Sequence, residues 1–319
     1  MEARSVRLAD VGYRVAASVA LTLGLWWCRG TPAFRKARIV MRTEQTFLSL
    51  LVTLLLLSVV FFVVERIAAR GRNRRQPVFR KGWATDVVYW FATALLTKPF
   101  LRVILILPLA VPVMAKLISL ETLKLGAYSG YGPLSRQPIW LQVIQIYVLV
   151  DFLGYWTHRL FHRGRWWPFH AVHHSSEDLD WLGSLRVHPV NDLINKLAQA
   201  SPVLLLGYNP AVTLSTAPVF TLFAIFLHAN VNWDFGFLRG VIASPVFHRW
   251  HHSKDREAWD KNFAGLLPVW DILFGTYYMP PGRYPENFGI CEPMPESYLG
   301  QLWEPFAWLR RRGRKVDPQ

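Results

Sequence analysis

Charged side chains vanish between residues 46 and 64. The run Thr46-Phe-Leu-Ser-Leu-Leu-Val-Thr-Leu-Leu-Leu-Leu-Ser-Val-Val-Phe-Phe-Val-Val64 is long enough to cross the ~30 Å hydrocarbon core of a bilayer as one helix. A basic stretch follows, with Arg66, Arg70, Arg72, Arg74, Arg75, Arg80 and Lys81. Elsewhere this would read as a solvated charge run; beside a span it holds that end in the cytoplasm. Residues 83–115 form a second apolar region, broken by Lys98, Pro99 and Arg102, and residues 138–157 a third that runs straight into His158. If each crosses once, the chain leaves the cytoplasmic side and comes back to it. Residues 197–227 are apolar but interrupted by Pro202, Pro210 and Pro218, which favours a hairpin, re-entrant in form, over two full spans. The shorter run 13–27 contains Arg14 and has the length of a signal-peptide core without a clean cleavage site, and Met41 offers a second start. No role is assigned to residues 1–45.

Composition narrows the class. The 319 residues are 52% hydrophobic, with 15 Trp and 20 Phe, yet carry a net charge of +15. The cations crowd next to apolar runs instead of lining a polar surface, which argues for membrane orientation and against nucleic acid. Two cysteines, Cys28 and Cys291, make neither a disulfide framework nor a metal motif.

Candidate chemistry lies between His158 and His252, which enclose all ten histidines. Eight form three clusters: His158-Arg-Leu-Phe-His162, His170-Ala-Val-His173-His174 and His248-Arg-Trp-His251-His252. Helical residues three or four apart share a face, so each cluster aims two or three imidazoles at one point. One histidine beside apolar residues would be a packed side chain, and a haem would use only two. Eight convergent imidazoles are too many for one ion and suit two. An all-imidazole dinuclear site at a membrane face points to iron used for O2 chemistry. Zinc would fit the donors, but structural zinc is satisfied by four ligands.

Three further residues attract attention. Asp151 stands two helical turns before His158; an acid inside an apolar segment is a functional candidate, expected here to hydrogen-bond and orient an imidazole. Its bland reading is an interfacial helix-end residue. His228 ends the last apolar hairpin and is expected as a ninth ligand. His188, in Arg186-Val-His188-Pro189, is open between ligand, hydrogen-bond donor to a ligand, and loop residue.

At these residues the chain resembles the fatty acid hydroxylase/sterol desaturase superfamily of integral membrane oxygenases, over roughly residues 137–280. The likeness rests on the three histidine boxes in this order and on Asp260-Lys-Asn262-Phe-Ala-Gly265 and Trp270-Asp271-Ile-Leu-Phe-Gly275-Thr276. It implies a non-haem diiron enzyme that uses O2 and two external electrons to hydroxylate or desaturate a lipid. It carries metal-ligand roles onto His158, His162, His170, His173, His174, His248, His251 and His252, and His228 matches an additional histidine of the family. Some members have another histidine four residues further on; here that position is Asn232, so Asn232 or a water would complete one metal or support it. No fused haem domain or ferredoxin motif is visible. The resemblance therefore implies a separate NAD(P)H-linked donor, cytochrome b5-like or a ferredoxin with its reductase, docking on the basic face.

The expected fold is all-α: a polytopic membrane helical bundle with a cytoplasmic helical cap holding a histidine-rich dinuclear metal site. Residues 46–136 would form transmembrane helices with the basic loop, 137–280 the catalytic domain, and 281–319 a basic cytoplasmic tail. Bacterial inner membrane and endoplasmic reticulum both fit. Fatty acyl, ether lipid, carotenoid and sterol substrates are open; His174-Ser-Ser-Glu-Asp178 resembles ether-lipid-cleaving members, and Arg186-Val-His188-Pro189 tilts the reading towards a sterol-like lipid. A membrane metal or haem carrier is the competing class. It would distribute polar residues through the spans, whereas these histidines gather at one face.

Overall fold

The computed structural model describes residues 32–68, 76–104 and 107–312. The 13–27 run, Cys28, Arg70, Arg72, Arg74, Arg75, Arg314 and Lys315 lie outside them. The regular elements of the described residues are all helices, with no sheet among them and one isolated antiparallel bridge between Ser253 and Phe288. The chain divides into two compact units, residues 1–55 and 56–319.

The first helix, α1 (Pro32–Ala68), contains the charge-free run. Leu56, Val59, Val60, Phe62 and Val63 are exposed along it, a surface that water would disfavour and hydrocarbon would not. Then come α2 (Trp83–Ala92), a π-helical turn at Thr93–Thr97, α3 (Lys98–Ile104), α4 (Leu107–Met114) and α5 (Leu120–Ser129). In the region 83–115, expected to cross once, the backbone runs helical from Trp83 through the π turn to Ile104, and a further helix follows at Leu107–Met114. Pro99, Pro108 and Pro112 each lack an N–H for the helical ladder. The π turn lies just before Pro99, where a helix must widen if the i−4 bond is missing.

The site-bearing part is a set of helices joined by tight links: α6 (Ile139–Phe161), α7 (Trp167–His174), α8 (Pro189–Leu205), α9 (Pro210–His228), α10 (Pro245–His251), α11 (Val269–Leu273) and α12 (Tyr298–Arg312). Thr46–Ala68, α6 and α9 are long and apolar enough to cross a membrane. The hairpin expected in 197–227 turns at residues 206–209 between α8 and α9. Gly132 N–H donates to the Gly207 carbonyl at 3.1 Å. A Cβ on Gly132 would collide with the Leu206 carbonyl, and Gly207 needs φ +65°, so both positions favour glycine. Gln142 ties the start of α6 to this turn, donating to the Ser135 and Gln137 carbonyls and accepting from Asn209 N–H.

Helix starts follow their caps. Asn209 Oδ1 accepts from Ala211 N–H with Pro210 next, and Ser244 Oγ accepts from Phe247 N–H with Pro245 next; such caps contribute about 1 kcal/mol each. α6 packs on α8 and α9, and α9 packs on α10. Beneath the histidines Tyr155, Leu227, Phe247, Phe263 and Ala264 form a buried apolar floor.

Candidate metal centre

The three boxes end or fill α6, α7 and α10, and His228 is the last residue of α9. Together these helices bring nine histidines into two groups. His158, His162, His170, His174 and His251 form one; His173, His228, His248 and His252 form the other. Within each group the candidate ligand nitrogens lie within 4.8 Å of one another.

The outward hydrogen bonds identify the inward nitrogens. Nδ1 of His158 donates to the Phe263 carbonyl at 2.7 Å, and Nδ1 of His170 to Asn191 Oδ1 at 2.7 Å. Both Nε2 atoms are then unprotonated, yet they lie 3.0 Å apart. In the second group, Nδ1 of His173 donates to the Arg186 carbonyl at 3.2 Å and Nδ1 of His228 to the Ala224 carbonyl at 2.7 Å. Their Nε2 atoms face each other at 3.1 Å. Two lone pairs at this separation repel, and a cation between them removes the repulsion. A proton is a poor substitute, because burial first and the neighbouring imidazoles second hold His162, His170, His173, His174, His248, His251 and His252 well below the ordinary imidazole pKa. Nε2 of His162 and of His251 are also buried without a hydrogen bond, a costly state unless a ligand binds there. Each group therefore fits one metal ion.

A single segment orients two imidazoles of the first group and stands beside a third. Asp260 Oδ1 lies 3.3 Å from Nδ1 of His162, the Lys261 carbonyl accepts from Nδ1 of His251 at 2.7 Å, and Phe263 serves His158. Asp260 and Asn262 both have positive φ, 55° and 58°, which Asp and Asn tolerate better than other non-glycine residues. Asn262 clamps the segment, donating to the Phe247 and Tyr278 carbonyls at 2.8 Å and accepting from Tyr278 N–H. Asp271 accepts from Phe263 N–H, Ala264 N–H and the Thr276 hydroxyl. The sequence displayed this segment as a motif but not its purpose. Asn191, which sets the tautomer of His170, had no sequence signal beyond its place near the helix start.

The other candidates lie elsewhere. Asp151 is buried, but it touches no imidazole: its oxygens accept from Gly265 N–H, Leu267 N–H and Trp270 Nε1–H. It holds the loop that runs from Phe263 into α11, so its effect on His158 is indirect. His188 caps α8, accepting from Val190 N–H through Nδ1, while Nε2 meets the Leu302 carbonyl at 3.1 Å. Both its nitrogens are occupied outside the clusters. Asn232 donates its backbone N–H to the Ala68 carbonyl, and among the described residues its side chain makes no hydrogen bond to a box histidine.

A buried ionic network backs the second box. Asp86 pairs with Arg80 at 2.7 Å and with Arg186 at 2.6 Å, and Arg80 pairs with Asp180. Arg186 in turn offers its carbonyl to His173. The Arg186-Val-His188-Pro189 element is thus occupied by structure.

Comparison with known proteins agrees with this geometry. Residues 143–276 match the fatty acid hydroxylase family. The match spans less than half of the chain. Relatives include the ornithine lipid hydroxylase OlsE of Rhizobium tropici, 33% identical over 60% of this chain and 57% of OlsE. The alkylglycerol monooxygenase of Homo sapiens is 36% identical over 40% of this chain and 28% of that enzyme. A very-long-chain aldehyde decarbonylase of Oryza sativa subsp. japonica is 27% identical over 50% of this chain and 54% of that protein. The chain covers less than two thirds of each. No solved structure matches it.

Proposed function

We propose that the chain is an integral membrane lipid hydroxylase with a non-haem diiron centre. The observation carrying this reading is the pair of opposed, unprotonated Nε2 contacts, one in each histidine group. Iron bound there would supply O2 reduction and C–H oxidation, consuming two electrons and two protons for each hydroxyl formed and water released. The eight box histidines and His228 would hold the two ions. Phe263, Arg186, Ala224 and Lys261 carbonyls, with Asn191, fix the tautomers and raise the basicity of the donor nitrogens. The apolar floor around Tyr155 and Phe247 excludes water from beneath the site.

Hydroxylation is favoured over desaturation by the hydroxylase and monooxygenase relatives. A polar lipid bearing acyl or alkyl chains is favoured over a sterol because the ornithine lipid and alkylglycerol enzymes, at 33% and 36% identity, are more similar to this chain than a putative methylsterol monooxygenase of Dictyostelium discoideum at 26%. The sterol expectation leaned on Arg186-Val-His188-Pro189, whose side chains have other partners. Electrons would come from a separate, acidic NAD(P)H-linked donor on the cytoplasmic face. Exposed Arg163 and Arg165 flank the approach to Trp167, whose ring lies 5.2 Å from His162 and 5.4 Å from His174.

The test is turnover by iron-loaded protein in lipid nanodiscs with a reducing system and isotopically labelled O2. One labelled oxygen in a membrane lipid is expected. Loss of two hydrogens without oxygen would make the enzyme a desaturase, and unchanged lipids would remove the oxidase reading.

A further inference from the structure

The last two turns of α1 border a cavity of about 80 Å³ with Phe62, Glu65, Arg66, Trp83, Trp181 and Asn230 in its wall. Glu65 uses one oxygen for the protein: Oε1 accepts from Asn230 N–H at 2.8 Å and from Trp181 N–H at 3.3 Å. Its Oε2 has no hydrogen-bond partner, and Glu65 no ion pair, among the described residues. Asp180, the other acid in the wall, is engaged by Arg80, with Nε to Oδ2 at 2.7 Å. Arg66 pairs with no acid among the described residues and leans over the Phe62 ring, 5.3 Å from its centroid. Trp181 is held by stacking on Phe61 at 5.3 Å. The wall thus offers one available carboxylate oxygen, one guanidinium and two indoles.

Position restricts what can occupy it. The cavity lies where the apolar span ends and the cations begin, the depth of lipid headgroups. Chain neighbours connect it to the metal centre. Asn230 is two residues past His228, and Arg249, next to His248, donates Nη1 to the Leu179 carbonyl at 2.9 Å, two residues before Trp181. We propose that this cavity binds a zwitterionic lipid headgroup, with an ammonium at Glu65 and the indoles and an anionic group at Arg66. An ammonium gains from a carboxylate and from indole faces together; a sterol hydroxyl would leave both charges unanswered. The assignment rests on the hydroxylase reading for its substrate role, but binding can be measured without turnover.

The experiment is equilibrium binding to the full chain in detergent micelles, with two probe pairs. These are phosphatidylethanolamine with its N-acetyl form, and an ornithine lipid with its N-acetylated form. Wild type should prefer the free amine by about tenfold in at least one pair, the scale of one charge-assisted contact. Glu65→Gln keeps the acceptor for Asn230 and Trp181 and should abolish that preference at unchanged metal content. Arg66→Gln should weaken both members of the preferred pair alike. Equal affinity within both pairs, or a preference that survives Glu65→Gln, overturns the site. If Glu65→Gln does not fold, unchanged binding by Arg66→Gln does so. Amine preference without oxygenated product would count against the hydroxylase alone, and product without amine preference against this site alone.

Discussion

At His170 one side-chain amide decides which ring nitrogen is free for metal. Asn191→Ala removes the acceptor of Nδ1, and metal affinity or rate should fall by about 10–100-fold, as for other partners of ligating histidines. Metal titration and steady-state kinetics read this directly, and wild-type values in both would dissociate Asn191 from the site. His173→Ala and His251→Ala, one from each group, should abolish turnover while the protein stays in the membrane; turnover retained by either would remove that histidine from the ligand set. Asp151→Asn places an amide group among the backbone N–H donors of Gly265 and Leu267. It should cost about 1–3 kcal/mol of stability, measured by unfolding in detergent, with any loss of metal following from the loosened loop. Unaltered stability with weakened metal binding would restore Asp151 to a direct role. The box histidines were legible because ligand spacing is a property of sequence. Their acceptors were not, because Phe263, Arg186, Lys261 and Ala224 act through backbone carbonyls, to which any residue type contributes.

Among elements, the charge-free run of α1, α6 and α9 announced themselves by length and apolarity. The region 83–115 is apolar too, but a hydropathy pattern does not register the π turn that precedes Pro99. Nor did sequence reveal that the second box rests on Asp86, which lies far away in the chain and balances two buried guanidinium groups. Asp86→Ala leaves Arg80 and Arg186 short of a counter-charge and should destabilise the fold by about 3–5 kcal/mol. It should also loosen His173, whose Nδ1 depends on the Arg186 carbonyl. Thermal unfolding with metal analysis would show both effects together; a stable variant with full metal would make the network incidental.

For the whole molecule, apolar spans and histidine boxes belong to one design: helices long enough for a bilayer end in imidazoles that meet at one level. Alkaline carbonate should leave the chain in the membrane pellet, and release into the supernatant would contradict the spans. The competing carrier reading and the hydroxylase reading separate on the metal itself. The most direct measurement is metal per chain, with an optical spectrum, on protein purified in detergent and loaded with ferrous iron without air. The proposed centre predicts two irons per chain and no haem band, because each histidine group presents its own pair of opposed lone pairs. A haem band with one iron, or no tightly held metal after loading, would contradict the account.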